Sequence, residues 1–454
     1  MKRRTFIRAT GLAAVGAAIT PQNILAGNLP KKKPFTIILG SGFAGLGAAK
    51  QLKEAGFDYV ILEARKRTGG RVHTYSDSNW DGLSIELGAE WIGNSHTELQ
   101  KFNNEMGIGM EDHTFNTRLM FNDTFQEAGA WGYDETYDIF KQALEKYRTA
   151  DAKTLKALDK LDYWRYLKEI GLSDKNIEIR EYFDSTDFGE TIRNVSAYAA
   201  LSEYAYSSPR NEMDLWTKGG NSKMIEALAK NAGEDKIKLD HTVTTVTQNK
   251  KKIKVTCSNG ATFEGDRIIC CIPTYSILKI KWEPVFSSTK RDALDALQYC
   301  RIIKTSLLFS ERVWKDESFD MLTDTLGHYF FHSSKLQPGK KGILTSYAIG
   351  EKAQVLSKMP KEKKIKELLS CIKPAFGDLS AYSLDAMAYY WGNDPYSQGA
   401  YAIYDVSQWF SHRLALMENS GNIYFAGEHL AEWQGFMEGA FITGMDAAKA
   451  VIKS

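Results

Sequence analysis

Thr36-Ile37-Ile38-Leu39-Gly40-Ser41-Gly42-Phe43-Ala44-Gly45 is the stretch from which the fold is read. Its first four residues form an apolar run, β-branched at three positions, the pattern of a buried parallel strand. Gly40-x-Gly42-x-x-Gly45 follows at once. Residues 46–55 then have helix composition and stop at Gly56. Asp58-Tyr59-Val60-Ile61-Leu62 is a second strand, and it ends in Glu63, 18 residues past Gly45. Strand, glycine turn, helix, strand and acid together make the dinucleotide-binding fingerprint in its required context. Gly40 makes the tight turn, and Gly42 lets a pyrophosphate approach the backbone at the positive end of a helix. Gly45 lets helix and strand pack closely. Glu63 can accept hydrogen bonds from ribose hydroxyls.

The chain has 454 residues, which favours two domains over one. A hydrophobic content of 43% and a charged content of 25% are ordinary for a soluble globular protein. The formal charge of +2 argues against nucleic acid or an anionic membrane as a partner. The five cysteines form no CxxC and no Cys/His cluster, so no metal site is expected. At the N-terminus, Lys2-Arg3-Arg4-Thr5-Phe6-Ile7-Arg8 precedes an apolar, small-residue stretch from Gly11 to Ile19. This resembles a twin-arginine export signal, with Lys2 where Ser or Thr is usual. It implies a periplasmic or secreted protein that crosses already folded. Residues 1–33 are read as signal and linker. No later run is apolar enough for a membrane span.

Beyond Glu63, Ala64-Arg65-Lys66-Arg67-Thr68-Gly69-Gly70-Arg71 sets two glycines among arginines, as suits a loop pressed against phosphates. Glu86-Leu87-Gly88-Ala89-Glu90-Trp91-Ile92-Gly93 is a small-residue loop holding one large aromatic. Residues from about 99 to 213 are rich in helix formers and read as a mostly helical insertion. The chain then returns through Trp216-Thr217-Lys218-Gly219-Gly220-Asn221. A strand at residues 241–246 and a hairpin around Ser258-Asn259-Gly260 follow. Residues 266–273 read as a buried strand ending at a proline. Lys304-Thr305-Ser306-Leu307-Leu308-Phe309 reads as a strand with a lysine at its start. Near the end, Ile423-Tyr424-Phe425-Ala426-Gly427-Glu428-His429 is a strand running into Gly-Glu. Gly435-Phe436-Met437-Glu438-Gly439-Ala440 opens a last helix, with a small face at Ala440, Gly444, Ala447 and Ala448.

The glycine fingerprint, Glu63, Gly69-Gly70-Arg71 and Gly88-Ala89-Glu90-Trp91 together resemble the FAD-dependent amine oxidase family. That family holds monoamine oxidases, polyamine oxidases and L-amino-acid oxidases. The resemblance runs from Phe35 to the C-terminus, and its motifs are strongest at the two ends. It implies an α/β fold: a Rossmann-like FAD-binding domain (34–98, 214–285 and 391–454) with an inserted α+β substrate-binding domain (99–213 and 286–390). It implies FAD contacts at Gly40, Gly42, Phe43, Ala44, Gly45, Glu63, Arg65, Gly70, Arg71, Gly88, Ala89, Glu90, Trp91, Gly427, Glu428 and Met437, and an adenine contact through the Val243 backbone. Tyr401 and Phe436 match the two positions of the aromatic cage in monoamine oxidases, with Phe436 in place of a tyrosine. Lys304 matches the lysine that holds a water at flavin N5. Ala400 stands where those enzymes attach the flavin through cysteine, so FAD is expected to be noncovalent. The implied reaction is hydride transfer from the carbon beside a neutral amine, with electrons passing to oxygen or to a periplasmic carrier. L-amino-acid oxidation is the closest alternative. Many such oxidases carry arginine where this chain has Trp91, which favours an amine, although Arg193 or Arg301 from the middle of the chain could supply a carboxylate fork. A flavin-dependent desaturase and a flavin-binding protein with a closed site are the more distant alternatives.

Overall fold

A computed structural model describes residues 33–208, 211–249, 252–432 and 434–454. The export-signal reading falls on residues 1–32, outside the described residues. Lys33, assigned above to the linker, is tied to the fold. Its ammonium donates to the Ala55 carbonyl at 2.7 Å.

The opening stretch folds as strand β1 (Thr36–Leu39), helix α1 (Phe43–Glu54) and strand β2 (Tyr59–Leu62), with both strands wholly buried. They lie in a five-stranded sheet in the order Ile423–Phe425, Arg267–Cys270, β1, β2, Ile237–Lys238. All four pairings are parallel. Apolar strands buried on both faces are what such a sheet requires. Helix α1 is N-capped by Gly42 in extended conformation, with no side-chain cap. Its first N–H groups are therefore left for a ligand. A Cβ on Gly45 would lie 1.9 Å from the Gly40 carbonyl oxygen, so only glycine fits there.

Val243–Gln248 pairs with Ile253–Cys257 and Lys281–Glu283, and Thr262–Gly265 completes a second sheet. A third sheet has seven strands, in the order Ser383–Tyr390, Ile302–Phe309, Gly342–Ile349, Tyr329–His332, Phe319–Thr323, Asn116–Phe121, Thr124–Gln126. The strand Ile302–Phe309 is buried throughout, and Lys304 is its third residue.

Part of the insertion departs from the helical reading. Helices occupy much of the segment from Tyr137 to Tyr204, but Asn116–Phe121 and Thr124–Gln126 are strands of the third sheet. Asn116–Phe121 pairs in parallel with Phe319–Thr323. That partner lies some two hundred residues on, and the short run Asn-Thr-Arg-Leu-Met-Phe declares no strand by itself. Tertiary pairing decides it. Among the described residues, no helix is long and apolar enough to cross a membrane.

Candidate active site

Residues from all three sheets line one large cavity of about 450 Å³. It begins at the C-terminal ends of β1 and β2, where open parallel sheets bind ligands. It ends among side chains of the insertion and the third sheet. Every residue read above as a cofactor or catalytic contact lines it, except Gly45. Gly45 is not among the lining residues; it lies against the Gly40 carbonyl.

At the β1 end, a Cβ on Gly42 would meet only the Gly69 carbonyl oxygen, at 3.9 Å. The turn thus leaves a bare backbone cradle. Glu63 is buried beside it. One carboxylate oxygen accepts from the Ser41 N–H (2.9 Å) and hydroxyl (2.7 Å), and the other from the Arg65 N–H (2.9 Å). Arg65 reaches Asp394 at 2.5 Å and Ser397 at 3.0 Å. Gly70 and Arg71 follow. Arg71 donates to the Ala400 carbonyl and to Glu428, the latter at 2.7 Å. Glu428 also accepts from the Gly435 N–H at 3.0 Å. Gly69-Gly70-Arg71 is thereby joined to both C-terminal motifs. Val243 and Gly427 complete this half.

Midway, Lys304 donates to the Gly88 carbonyl (2.9 Å) and to Glu90 (2.6 Å), fully buried. Trp91, Phe331 and Tyr347 surround the ammonium at 5.3 to 5.9 Å from their ring centres. Burial works against the Glu90 carboxylate. Lys304 and then His113 outweigh it and hold Glu90 below its ordinary pKa. Ala89 lies between these groups in the same loop. The C-terminal helix Met437–Lys453 points its N-terminus at the cavity, with Phe436 as an N-cap that offers no side-chain cap. Phe436 packs edge-on against His96 at 5.0 Å. Tyr401 donates its hydroxyl to the Asp187 carbonyl at 2.7 Å and lies 3.1 Å from the Tyr347 hydroxyl.

The far end holds residues that sequence reading missed. Asp187, Glu203 and Glu212 all line it. Burial, and then the charge of Asp184, push Asp187 up to about 8. Gly93 has no side chain, and the Glu212 carboxylate fills that space. A Cβ on Gly93 would lie 1.5 Å from Glu212 Oε2. Asn211 and Glu212 both hold left-handed backbones, with φ of 47° and 65°. Such strain gathers at functional sites. Gln434 also lines the cavity, with a buried amide oxygen that has no partner among the described residues. It stands two residues before Phe436, just ahead of the motif that opens at Gly435, and carries no signal of its own in the sequence.

The family of flavin containing amine oxidoreductases matches residues 43–452. The chain belongs to this family. It is a flavoprotein amine oxidase, and its cofactor is FAD. The glycine cradle, the buried acid and the continuous cavity fit that cofactor. The chain is 26% identical to an L-amino-acid oxidase of Siganus canaliculatus, over 92% of its own length and 85% of the relative's. It is also 26% identical to probable polyamine oxidase 4 of Arabidopsis thaliana, over 92% and 86%. Among solved structures, cyclohexylamine oxidase from Brevibacterium oxydans superposes with a TM-score of 0.81 at 18% identity, covering 93% of this chain and 99% of that one. Putrescine oxidase bound to putrescine superposes at 0.80 and 19%, with the same coverage. At these identities the superpositions speak for the fold alone.

Proposed function

We propose that this flavoenzyme oxidises free amines in preference to α-amino acids. One observation carries the reading. Among the described residues, the only arginines lining the cavity are Arg65 and Arg71, both at the β1 end and both paired with acids. Arg301 is spent on Glu190, with two contacts of 3.1 Å. Arg193 stacks on Trp164. Among the described residues lining the far end, none offers a carboxylate the two-point fork it needs. Asp187, Glu203 and Glu212 stand there instead.

When bound, FAD supplies the acceptor for a hydride from the carbon beside the amine and passes the electrons on to oxygen or a carrier. The chain does the rest. Tyr401, Phe436 and Trp91 wall a space poor in water, where a substrate amine sheds its proton more easily than in solution. Two of the three Lys304 donors are committed to Gly88 and Glu90, and the third remains for a water at the reacting centre. The resulting imine hydrolyses to a carbonyl compound. We also propose that FAD is held without a covalent bond, because Ala400 has no thiol, and that the protein is exported through its Arg3-Arg4 signal.

The test of the substrate class is anaerobic bleaching of the flavin, with tyramine against tyrosine and tryptamine against tryptophan. The amines should reduce it faster. Amino acids ahead by tenfold, about 1.4 kcal/mol in transition-state binding, would transfer the assignment to L-amino-acid oxidation.

A further inference from the structure

We propose that a second cavity, on the opposite side of the third sheet from the cofactor cavity, binds a small oxyanion at the ammonium of Lys364. This site does not depend on the substrate reading above.

Ile303 and Lys304 are neighbours on the strand Ile302–Phe309, so their side chains leave opposite faces of the sheet. Lys304 lines the cofactor cavity, and Ile303 lines a second cavity of about 310 Å³. Lys364 lines it too, from the helix Lys361–Phe376, whose apolar side chains pack in one cluster with Ile303. Four lysines are buried among the described residues, and three of them have partners. The Lys290 ammonium donates to the Ala415, Leu416 and Glu418 carbonyls, Lys304 to Gly88 and Glu90, and Lys335 to the Thr114 carbonyl. Lys364 is more than nine-tenths buried, and among the described residues no hydrogen bond or ion pair holds its ammonium. Burial alone pushes its pKa below the ordinary lysine value, with no neighbouring charge to offset it. A buried cation is costly to leave unpaired, and an anion entering the cavity is its natural complement.

The one acid at this cavity, Asp394, is already committed. Its carboxylate accepts from Arg65 at 2.5 Å, from the Tyr389 hydroxyl at 3.0 Å, and from the N–H groups of Tyr396 and Ser397 at 3.0 and 2.8 Å. A counter-ion for Lys364 therefore has to come from outside the chain. Tyr390 and Asn393 line the same cavity, and their hydroxyl and amide are further donors for an anion with several oxygens. The surroundings favour its approach. Lys358, Lys361, Lys363 and Lys366 are exposed on the same segment, and Glu362 is its only acid between residues 358 and 366. Pro360, the N-cap of the helix, offers no side-chain cap, so the positive end of the helix dipole adds to this field. Such a field raises the local concentration of anions.

The experiment uses the full chain loaded with FAD, so that the cofactor cradle is closed to free anions. Lysines are amidinated with methyl acetimidate, a small reagent without negative charge, and their rates are read one by one by mass spectrometry. Inorganic phosphate and acetate are the probes, each against sodium chloride at equal ionic strength. In chloride, Lys364 should react. An anion at about ten times its Kd leaves roughly a tenth of the sites free, so phosphate or acetate should slow Lys364 by about tenfold while Lys358 and Lys363 keep their rates. Which of the two protects at the lower concentration tells a phosphate site from a carboxylate site. If Lys364 never reacts, or reacts equally with and without both anions, the proposal is overturned. Calorimetric titration with the protecting anion is the second measurement. Lys364→Met should abolish the binding, and Lys363→Met should keep it. Binding that survives Lys364→Met overturns the assignment to Lys364. Should that variant not fold, the labelling of the native chain decides.

Discussion

Lys304 and Glu90 form a buried pair at 2.6 Å, so a variant of either tests two things at once. Removing one partner of a buried ion pair strands the other, at a cost of about 3–5 kcal/mol. Lys304→Met is therefore expected to lower the unfolding midpoint as well as slow a half-reaction. The double variant Lys304→Met with Glu90→Gln removes the stranded charge. It should regain much of the lost stability while reduction or reoxidation of the flavin stays slower by roughly tenfold or more, the scale of a positioned proton-handling group. Stopped-flow traces beside thermal melts separate the two effects. A double variant with native rates in both half-reactions would remove Lys304 from the chemistry. Little of this pairing was legible in the sequence. Lys304 stood out by resemblance alone, and 214 residues separate it from Glu90. Asp187 carried no signal either, because it lies in a helical segment without a motif, and only tertiary folding brings it to Tyr401.

The C-terminal helix Met437–Lys453 shows what local sequence does carry. Its small face reads directly as close packing, and the structure sets it against α1. A Cβ on Gly444 would lie 1.9 Å from the Ala44 carbonyl oxygen, while Phe441 covers Gly47. The same helix docks a second one, which the sequence does not announce. Glu438 accepts from the Glu98 and Leu99 N–H groups, both at 2.9 Å, at the start of helix Thr97–Met106. That helix has no side-chain cap at its own N-cap, His96, so the carboxylate supplies one from across the fold. Gly444→Ala meets backbone rather than a movable side chain, so the helices must part. Such overpacking costs roughly 1–3 kcal/mol. The expected outcome is a melting midpoint lower by a few degrees, with weakened FAD retention on gel filtration, since α1 and this helix both end at the cavity. An unchanged midpoint would show that the contact relaxes without cost. Glu438→Gln keeps the shape and loses the charge, and should cost about 1 kcal/mol by the same measurement.

Across the whole molecule, the cavity joins segments from around Gly40, Glu63, Gly88, Val243, Ala400 and Gly427. A cofactor that touches all of them binds the folded chain and not the unfolded one, and so stabilises it by mass action. With alanine at position 400, acid precipitation should release all the yellow colour into the supernatant. Colour left in the pellet would contradict noncovalent binding. The same architecture bears on the proposed export. A chain threaded unfolded would leave behind a cofactor that no bond retains and that only the assembled cavity can hold. Loading inside the cell, followed by transport in the folded state, avoids that loss, and this is what the Arg3-Arg4 pair proposes. Arg3→Lys combined with Arg4→Lys keeps the charge and removes the twin-arginine signature. In the native host, the unaltered protein should be found in the periplasm with its flavin. The doubly substituted one should accumulate in the cytoplasm, folded and yellow. If the variant still reaches the periplasm with a full complement of flavin, the signal has been misread. If it stays behind without flavin, loading is coupled to export rather than prior to it.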